Sequence, residues 1–299
     1  MLVTGAWREA KAYIEELEAM GHCVIFQQQE SEPLACPAQE VEGVICNGLF
    51  LYHPIEKFTS LRYIQLTSAG YDRVPLDTIR ERGIELHNAA DVYSTPMAEF
   101  ALGGVLQLYK RFDTFRSNQR QHHWEKQRNL LELSGKTVCI VGCGNVGKAC
   151  AKRFAAFDTR VIGVTAHPRS IDWFEDICGL DELDEVLKVS DIIILALPLT
   201  EETRHLIDER RFEMMKQNAL LVNIARGAVV DTEALVRALE DRMILGAVLD
   251  VMEEEPLPAD SKLWDMEQVV LTPHNSFVGE GNGTRLAAMV KDNLKRVLL

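Results

Sequence analysis

Positive charge is scarce in this chain: 32 lysines and arginines stand against 45 aspartates and glutamates, for a formal net charge of −13. Nucleic acid is thereby disfavoured as a partner, because a phosphate backbone demands a basic stripe. An anionic small molecule would have to be met by individual arginines. The seven cysteines, at 23, 36, 46, 139, 143, 150 and 178, contain no Cys-x-x-Cys pair and have no histidine-rich companion segment. That spacing excludes the usual redox and zinc signatures and predicts reduced thiols. Cys139 and Cys143 flank a glycine turn, where small apolar filling explains them better than a redox pair. No metal is expected, and His122-His123 reads as an exposed loop pair. No apolar run is long enough to span a membrane, and Met1 to Gly5 lack the basic and apolar segments of a signal peptide. A cytoplasmic protein is expected. Internal repeats and low-complexity tracts are also missing.

What is present is enough apolar material for sizeable cores: 299 residues, 47% of them hydrophobic, suggest about two domains. Strand-like runs alternate with helical segments along the whole chain, which predicts parallel sheets covered by helices. A first set comprises Leu2 to Thr4, Cys23 to Gln27, Gly43 to Cys46, Tyr63 to Leu66 and Ile84 to Leu86, with a helix near Glu9 to Met20. A long helical stretch, Pro96 to Phe115, and a polar loop through Gln119 to Gln127 follow. A second set of six comprises Thr137 to Val141, Arg160 to Thr165, Asp191 to Leu197, Ala219 to Ile224, Gly246 to Asp250 and Val269 to Thr272, the number of a full dinucleotide-binding sheet. Leu286 to Leu299 reads as a helix that could return to the first set.

The most specific local signal is Val138 to Val141 feeding Gly142-Cys143-Gly144-Asn145-Val146-Gly147, with Val146, Cys150, Phe154 and Phe157 at helical spacing afterwards. A Gly-x-Gly-x-x-Gly turn alone is weak evidence; between a buried strand and a helix it predicts a pyrophosphate site at the helix N-terminus. Three polar clusters follow at or after predicted strand ends, where ligands sit in open α/β sheets. They are Val222-Asn223-Ile224-Ala225-Arg226-Gly227 with Val230-Asp231, Leu249-Asp250-Val251-Met252-Glu253-Glu254-Glu255-Pro256-Leu257, and Leu271-Thr272-Pro273-His274-Asn275-Ser276.

With Leu133-Ser134-Gly135-Lys136, Leu197-Pro198-Leu199-Thr200 plus Thr203, and Thr67-Ser68-Ala69-Gly70-Tyr71-Asp72, these motifs resemble the D-isomer-specific 2-hydroxyacid dehydrogenase family over nearly the whole chain. The resemblance implies an α/β protein of two domains. A Rossmann-type doubly wound parallel sheet would occupy residues 99–277, and a smaller flavodoxin-like α/β substrate domain residues 1–98 plus 278–299. It implies a hydride exchange between NAD(P)H and a small 2-keto acid, giving the D-2-hydroxy acid.

By the same resemblance Arg226, Glu255 and His274 correspond to the catalytic triad. Arginine offers a planar fork to a substrate carboxylate. Histidine exchanges a proton near neutral pH, and Glu255 would orient it and favour its protonated form. The backbone N–H groups of Ser68, Ala69 and Gly70 would also meet the carboxylate, glycine permitting the close approach. Cofactor contacts are expected from Gly142, Gly144, Asn145, Val146, Gly147, Pro198, Thr203, Ala225 and, at the nicotinamide carboxamide, Asp250. Asp231, before Thr232 and Glu233, reads as a helix N-cap.

An acid that NAD-preferring versions carry at the end of the second sheet strand is missing: Thr165 stands there, with His167, Arg169 and Ser170 beyond it. A ribose 2′-phosphate would not be repelled and could meet Arg169. NADP(H) is therefore favoured, with NAD(H) the alternative. Two further readings stay open, a nucleotide-sensing regulatory protein of the same fold and a phosphoglycerate-type dehydrogenase. A homodimer is expected from the apolar helix through Phe100, Val105 and Leu108 and the Trp124 loop.

Overall fold

The computed structural model describes residues 1–89 and 91–297; residues 298 and 299 of the expected terminal helix and second part of the substrate domain lie outside them. The chain forms two compact units, one from Met1–Tyr93 with the segment from Gly279 onward, the other Ser94–Val278.

The first unit is a parallel sheet of β1 (Leu2–Thr4), β2 (Ile25–Gln27), β3 (Gly43–Cys46), β4 (Tyr63–Leu66) and β5 (Glu85–His87), in the order β2-β1-β3-β4-β5. That is the strand order of flavodoxin-like sheets. Alternation along each strand feeds two cores. Leu2, Val44 and Ile64 pack with Phe58 on one face. Val3, Ile45 and Tyr63 pack with Leu286, Ala287, Val290 and Leu294 on the other. The latter four recur at helical spacing in the helix Asn282–Val297, whose last turn carries Lys295 and Arg296 where the helix dipole favours cations.

The second unit holds β6 (Thr137–Val141), β7 (Arg160–Val164), β8 (Asp176–Cys178), β9 (Ile192–Leu195), β10 (Leu220–Asn223), β11 (Gly246–Leu249) and β12 (Val269–Leu271). Their order, β12-β11-β10-β9-β6-β7-β8, is all parallel and reverses direction between β6 and β9. Ligands of such sheets bind outside the strands' carboxyl ends at that reversal. Both faces are covered, so the strands read as continuous apolar runs. Cys139, Val141, Ile193 and Leu195 face one core, while Val138, Ile140, Ile192 and Ile194 face the other with Ala98, Ala101 and Val105.

Two elements depart from expectation. The sheet has a seventh strand, β8, of only three residues and partly exposed, paired to β7 at Ile162↔Asp176. Three residues at an edge carry too little pattern to be seen in sequence. The single helix expected over Pro96 to Phe115 is two helices, Ser94–Tyr109 and Phe112–Arg120, broken at Arg111 with φ 52°. A left-handed residue ends the helical hydrogen-bond ladder, and no glycine or proline stands at the break to signal a stop.

Candidate active site

The glycine turn leaves β6 at the reversal point. A Cβ on Gly142, whose φ is +102°, would stand 2.3 Å from the Ala196 carbonyl oxygen, and one on Gly147 would stand 1.9 Å from the Gly142 oxygen. Only glycine lets these backbones meet. Gly144, exposed, has nothing within 4 Å of such an atom, and the helix Asn145–Ala155 starts directly after it. The turn is thus closed inward and open outward, with helix N–H groups at its mouth, a cradle that fits a dinucleotide pyrophosphate. Beyond β9, Thr203 Oγ1 donates to the Pro198 oxygen at 2.8 Å and accepts the Thr200 N–H at 2.7 Å, fixing the next loop along that edge.

Past β7, the Thr165 N–H donates to the Cys178 oxygen at 3.0 Å. Lys148, Lys152, Arg169 and Ser170 border a cavity of about 520 Å³ with Asp172 and Trp173, and Lys152 Nζ stands 5.7 Å from the Trp173 ring centroid. Arg169 and Ser170 are the donors expected from the sequence; the two lysines, one and five residues after Gly147, were not singled out.

At the end of β10 the side chain of Asn223, 1% exposed, holds the turn that follows. Its Oδ1 accepts the Ala225 N–H and its Nδ2 donates to the Arg226 oxygen, both at 3.1 Å, while Arg226 Nη1 donates to the Ala225 oxygen at 2.7 Å. Gly227 lies so close to the next loop that a Cβ there would stand 1.9 Å from the Met252 carbonyl. Asp231 caps the helix Thr232–Glu240 by accepting the Ala234 N–H at 3.0 Å.

Asp250, 1% exposed at the end of β11, organises the loop after β12. Its Oδ1 accepts from Thr272 Oγ1 and the Asn275 N–H at 2.7 Å each, and the Ser276 N–H reaches both oxygens at 3.0 and 3.1 Å. Its carbonyl accepts the His274 N–H at 2.7 Å. These bonds hold His274 at φ 51°, a region uncommon outside glycine that persists where surroundings impose it. His274 Nδ1 then lies 2.9 Å from Glu255 Oε2, and Glu255 Oε1 accepts the Met252 N–H at 3.0 Å. The imidazole and the Phe277 ring stand nearly perpendicular, at 82°, with centroids 6.2 Å apart. Arg226, Glu255 and His274 therefore sit on three consecutive loops at one end of one sheet, two of them in direct contact.

A second imidazole was not singled out: His205 Nε2 lies 2.6 Å from Glu253 Oε1. Burial pushes the Glu253 carboxyl up, but bonds from His205 and Thr232 outweigh it and hold the group below the usual range. The unbroken run Glu253-Glu254-Glu255 was the only sequence hint. Ser68, Ala69 and Gly70 follow β4 in the first unit. Their turn is held by Asn88 Nδ2 donating to the Ala69 oxygen at 2.7 Å and the Ala89 N–H donating to the Ser68 oxygen at 2.8 Å.

All seven cysteines are free; burial pushes the Cys143 thiol up to about 11 and the Cys150 thiol to about 12, so neither is a ready nucleophile at neutral pH. Among the described residues no group of three or more His, Cys, Asp or Glu is placed to hold a metal. No helix among them is long and apolar enough to cross a membrane.

Residues 102–276 match the family model for the D-isomer specific 2-hydroxyacid dehydrogenase NAD-binding domain. A glyoxylate reductase of Thermofilum pendens is 38% identical over 80% of this chain and 72% of its own length. Among solved structures, a D-isomer specific 2-hydroxyacid dehydrogenase of Xanthobacter autotrophicus Py2, in complex with NADPH and MES, superposes with a TM-score of 0.81 at 28% identity. That match covers 99% of this chain and 94% of the other. A D-lactate dehydrogenase of Aquifex aeolicus, complexed with NAD and lactic acid, gives a TM-score of 0.79 at 26% identity, covering 99% and 95%.

Proposed function

The chain belongs to the D-isomer specific 2-hydroxyacid dehydrogenase family, and from that premise we propose the residue roles by which it acts as an NAD(P)-dependent 2-keto acid reductase. The observation that carries the assignment is the His274–Glu255 contact of 2.9 Å at the carboxyl edge of the dinucleotide sheet. The cofactor, when bound, supplies hydride to the carbonyl carbon. Everything else falls to side chains and backbone of this protein. Arg226 is assigned to orienting the substrate carboxylate, and Ser68, Ala69 and Gly70 to substrate binding. Because Nδ1 of His274 is engaged by Glu255, Nε2 is the nitrogen that gives its proton to the carbonyl oxygen. Glu255, a carboxylate at hydrogen-bonding distance, fixes the orientation of the ring. The product is the D-2-hydroxy acid.

We assign the dinucleotide to residues 99–277 and substrate selection to residues 1–98 with 278–299. Gly142, Gly144, Asn145, Val146 and Gly147 take the pyrophosphate, Pro198, Thr203 and Ala225 line the cofactor path, and Asp250 stands at the nicotinamide end. NADP(H) is the favoured form: no carboxylate replaces Thr165 to repel a 2′-phosphate, and Arg169 and Ser170 share their cavity with Lys148 and Lys152. Arg169→Ala should lower the NADPH-to-NADH ratio of kcat/KM by about tenfold, the scale of one charge-assisted hydrogen bond. A ratio left unchanged would remove Arg169 from cofactor choice.

The substrate class is tested by following NADPH and NADH oxidation with glyoxylate, hydroxypyruvate, pyruvate, phenylpyruvate and phosphohydroxypyruvate, and formate in the reverse direction. Turnover of glyoxylate or hydroxypyruvate is the expected result. Tight cofactor binding with no turnover of any of them would instead favour a nucleotide-sensing role. A homodimer is proposed on the exposure of Trp124 at 97% and Phe112 at 56%; Val105, expected to face a partner, is instead buried in the chain's own core with Phe100 and Leu108 packed against it. Light scattering should read the mass of two chains, and a monomer at working concentration would reject it.

A further inference from the structure

Resting on the roles just given to Glu255 and His274, we propose that His205 and Glu253 form a second imidazole–carboxylate pair whose work is to position the first, so that Glu253 is a positioning residue for catalysis. The Glu253 carboxylate ties three segments together. Its Oε1 lies 2.6 Å from His205 Nε2, and its Oε2 accepts from Thr232 Oγ1 at 2.8 Å and from the Thr232 N–H at 3.4 Å. The His205 N–H in turn donates to the Ala228 oxygen at 2.8 Å, inside the short turn Gly227–Val229 that directly follows Arg226. One carboxylate therefore links the stretch after β9, the Arg226 turn and the turn that carries Glu255.

Those links sit where there is little slack. Gly227 and Met252 touch backbone to backbone, leaving no room for even a methyl group, and the Met252 N–H is itself bound by Glu255 at 3.0 Å. A displacement of Glu253 is thus passed through Met252 to the carboxylate that orients His274. His205 has φ 50°, a conformation that a non-glycine residue keeps when tertiary contacts impose it. The pair is 40% and 33% exposed, and ion pairs that accessible add little to stability. Its effect belongs in geometry, where a misplacement of about 1 Å is enough to cost on the order of a hundredfold in rate.

The test compares Glu253→Ala, His205→Ala, their combination and Glu253→Gln, measuring kcat and KM for an active 2-keto acid, cofactor Kd by titration, and Tm. The expected result is a kcat lowered about tenfold in either alanine variant, with cofactor Kd changed by less than about twofold. The double variant should be no worse than the single ones, because the residues act through one interaction. Glu253→Gln, which keeps an acceptor for Thr232 or His205, should recover part of the loss. Unchanged kcat in Glu253→Ala, additive losses in the double variant, or a fall confined to Tm and cofactor Kd would each overturn the proposal. His274→Gln, run in parallel, separates the two layers. Wild-type turnover there removes the underlying roles, whereas an inactive His274→Gln beside a fully active Glu253→Ala removes only the second pair.

Discussion

Glutamine in place of His274 should lower kcat for 2-keto acid reduction by about a thousandfold, within the range that a positioned general acid contributes. The amide can still face Glu255 Oε2, now 2.9 Å from the imidazole, so the substitution removes the exchangeable proton with little change of shape. Cofactor affinity should stay within about twofold, because the glycine turn to which we assign the pyrophosphate lies on a different loop. Glu255→Gln should keep a reduced rate, since the ring retains a hydrogen-bond partner and loses the neighbouring charge. Turnover of His274→Gln at the wild-type level would remove the residue from chemistry.

Much of this arrangement was legible in the chain because its signals are local and redundant. Val138 to Val141 must be a buried strand, Gly142 and Gly147 are demanded by contacts that exclude a Cβ, and each chemical residue stands just past an apolar run. The strand edge then brings distant segments together: Asn223 pairs with Leu249, and Leu249 with Leu271, so the loops that carry Arg226, Glu255 and His274 leave the same end of the sheet from neighbouring strands. What stayed hidden depends on side chains meeting across loops. Nothing in the spacing of His205 and Glu253, or of Lys148 and Arg169, announces that they approach one another. The three-residue β8 and the left-handed break at Arg111 were invisible for a related reason, as tertiary packing imposes them where local propensity is neutral.

Asp250 carries the other large expectation, and it turns on counting donors. Four hydrogen bonds from three groups, the Thr272 hydroxyl and the N–H groups of Asn275 and Ser276, converge on a carboxylate that is 1% exposed. An Asp250→Asn change offers one acceptor oxygen and one NH2, so either orientation of the amide sets a donor against a donor. A buried donor left unpaired costs about 1–3 kcal/mol. At about 2–4 °C per kcal/mol for a protein of this size, Tm should fall by several degrees. The rate should suffer more. The same loop holds His274 at φ 51° through its N–H to the Asp250 oxygen, and loosening it by about 1 Å would lower kcat on the order of a hundredfold. A role confined to touching the nicotinamide carboxamide would look different, raising cofactor KM while leaving Tm and the rate at saturation intact. If Asp250→Asn melts with the wild type and keeps its kcat, the carboxylate is not what sets the histidine in place.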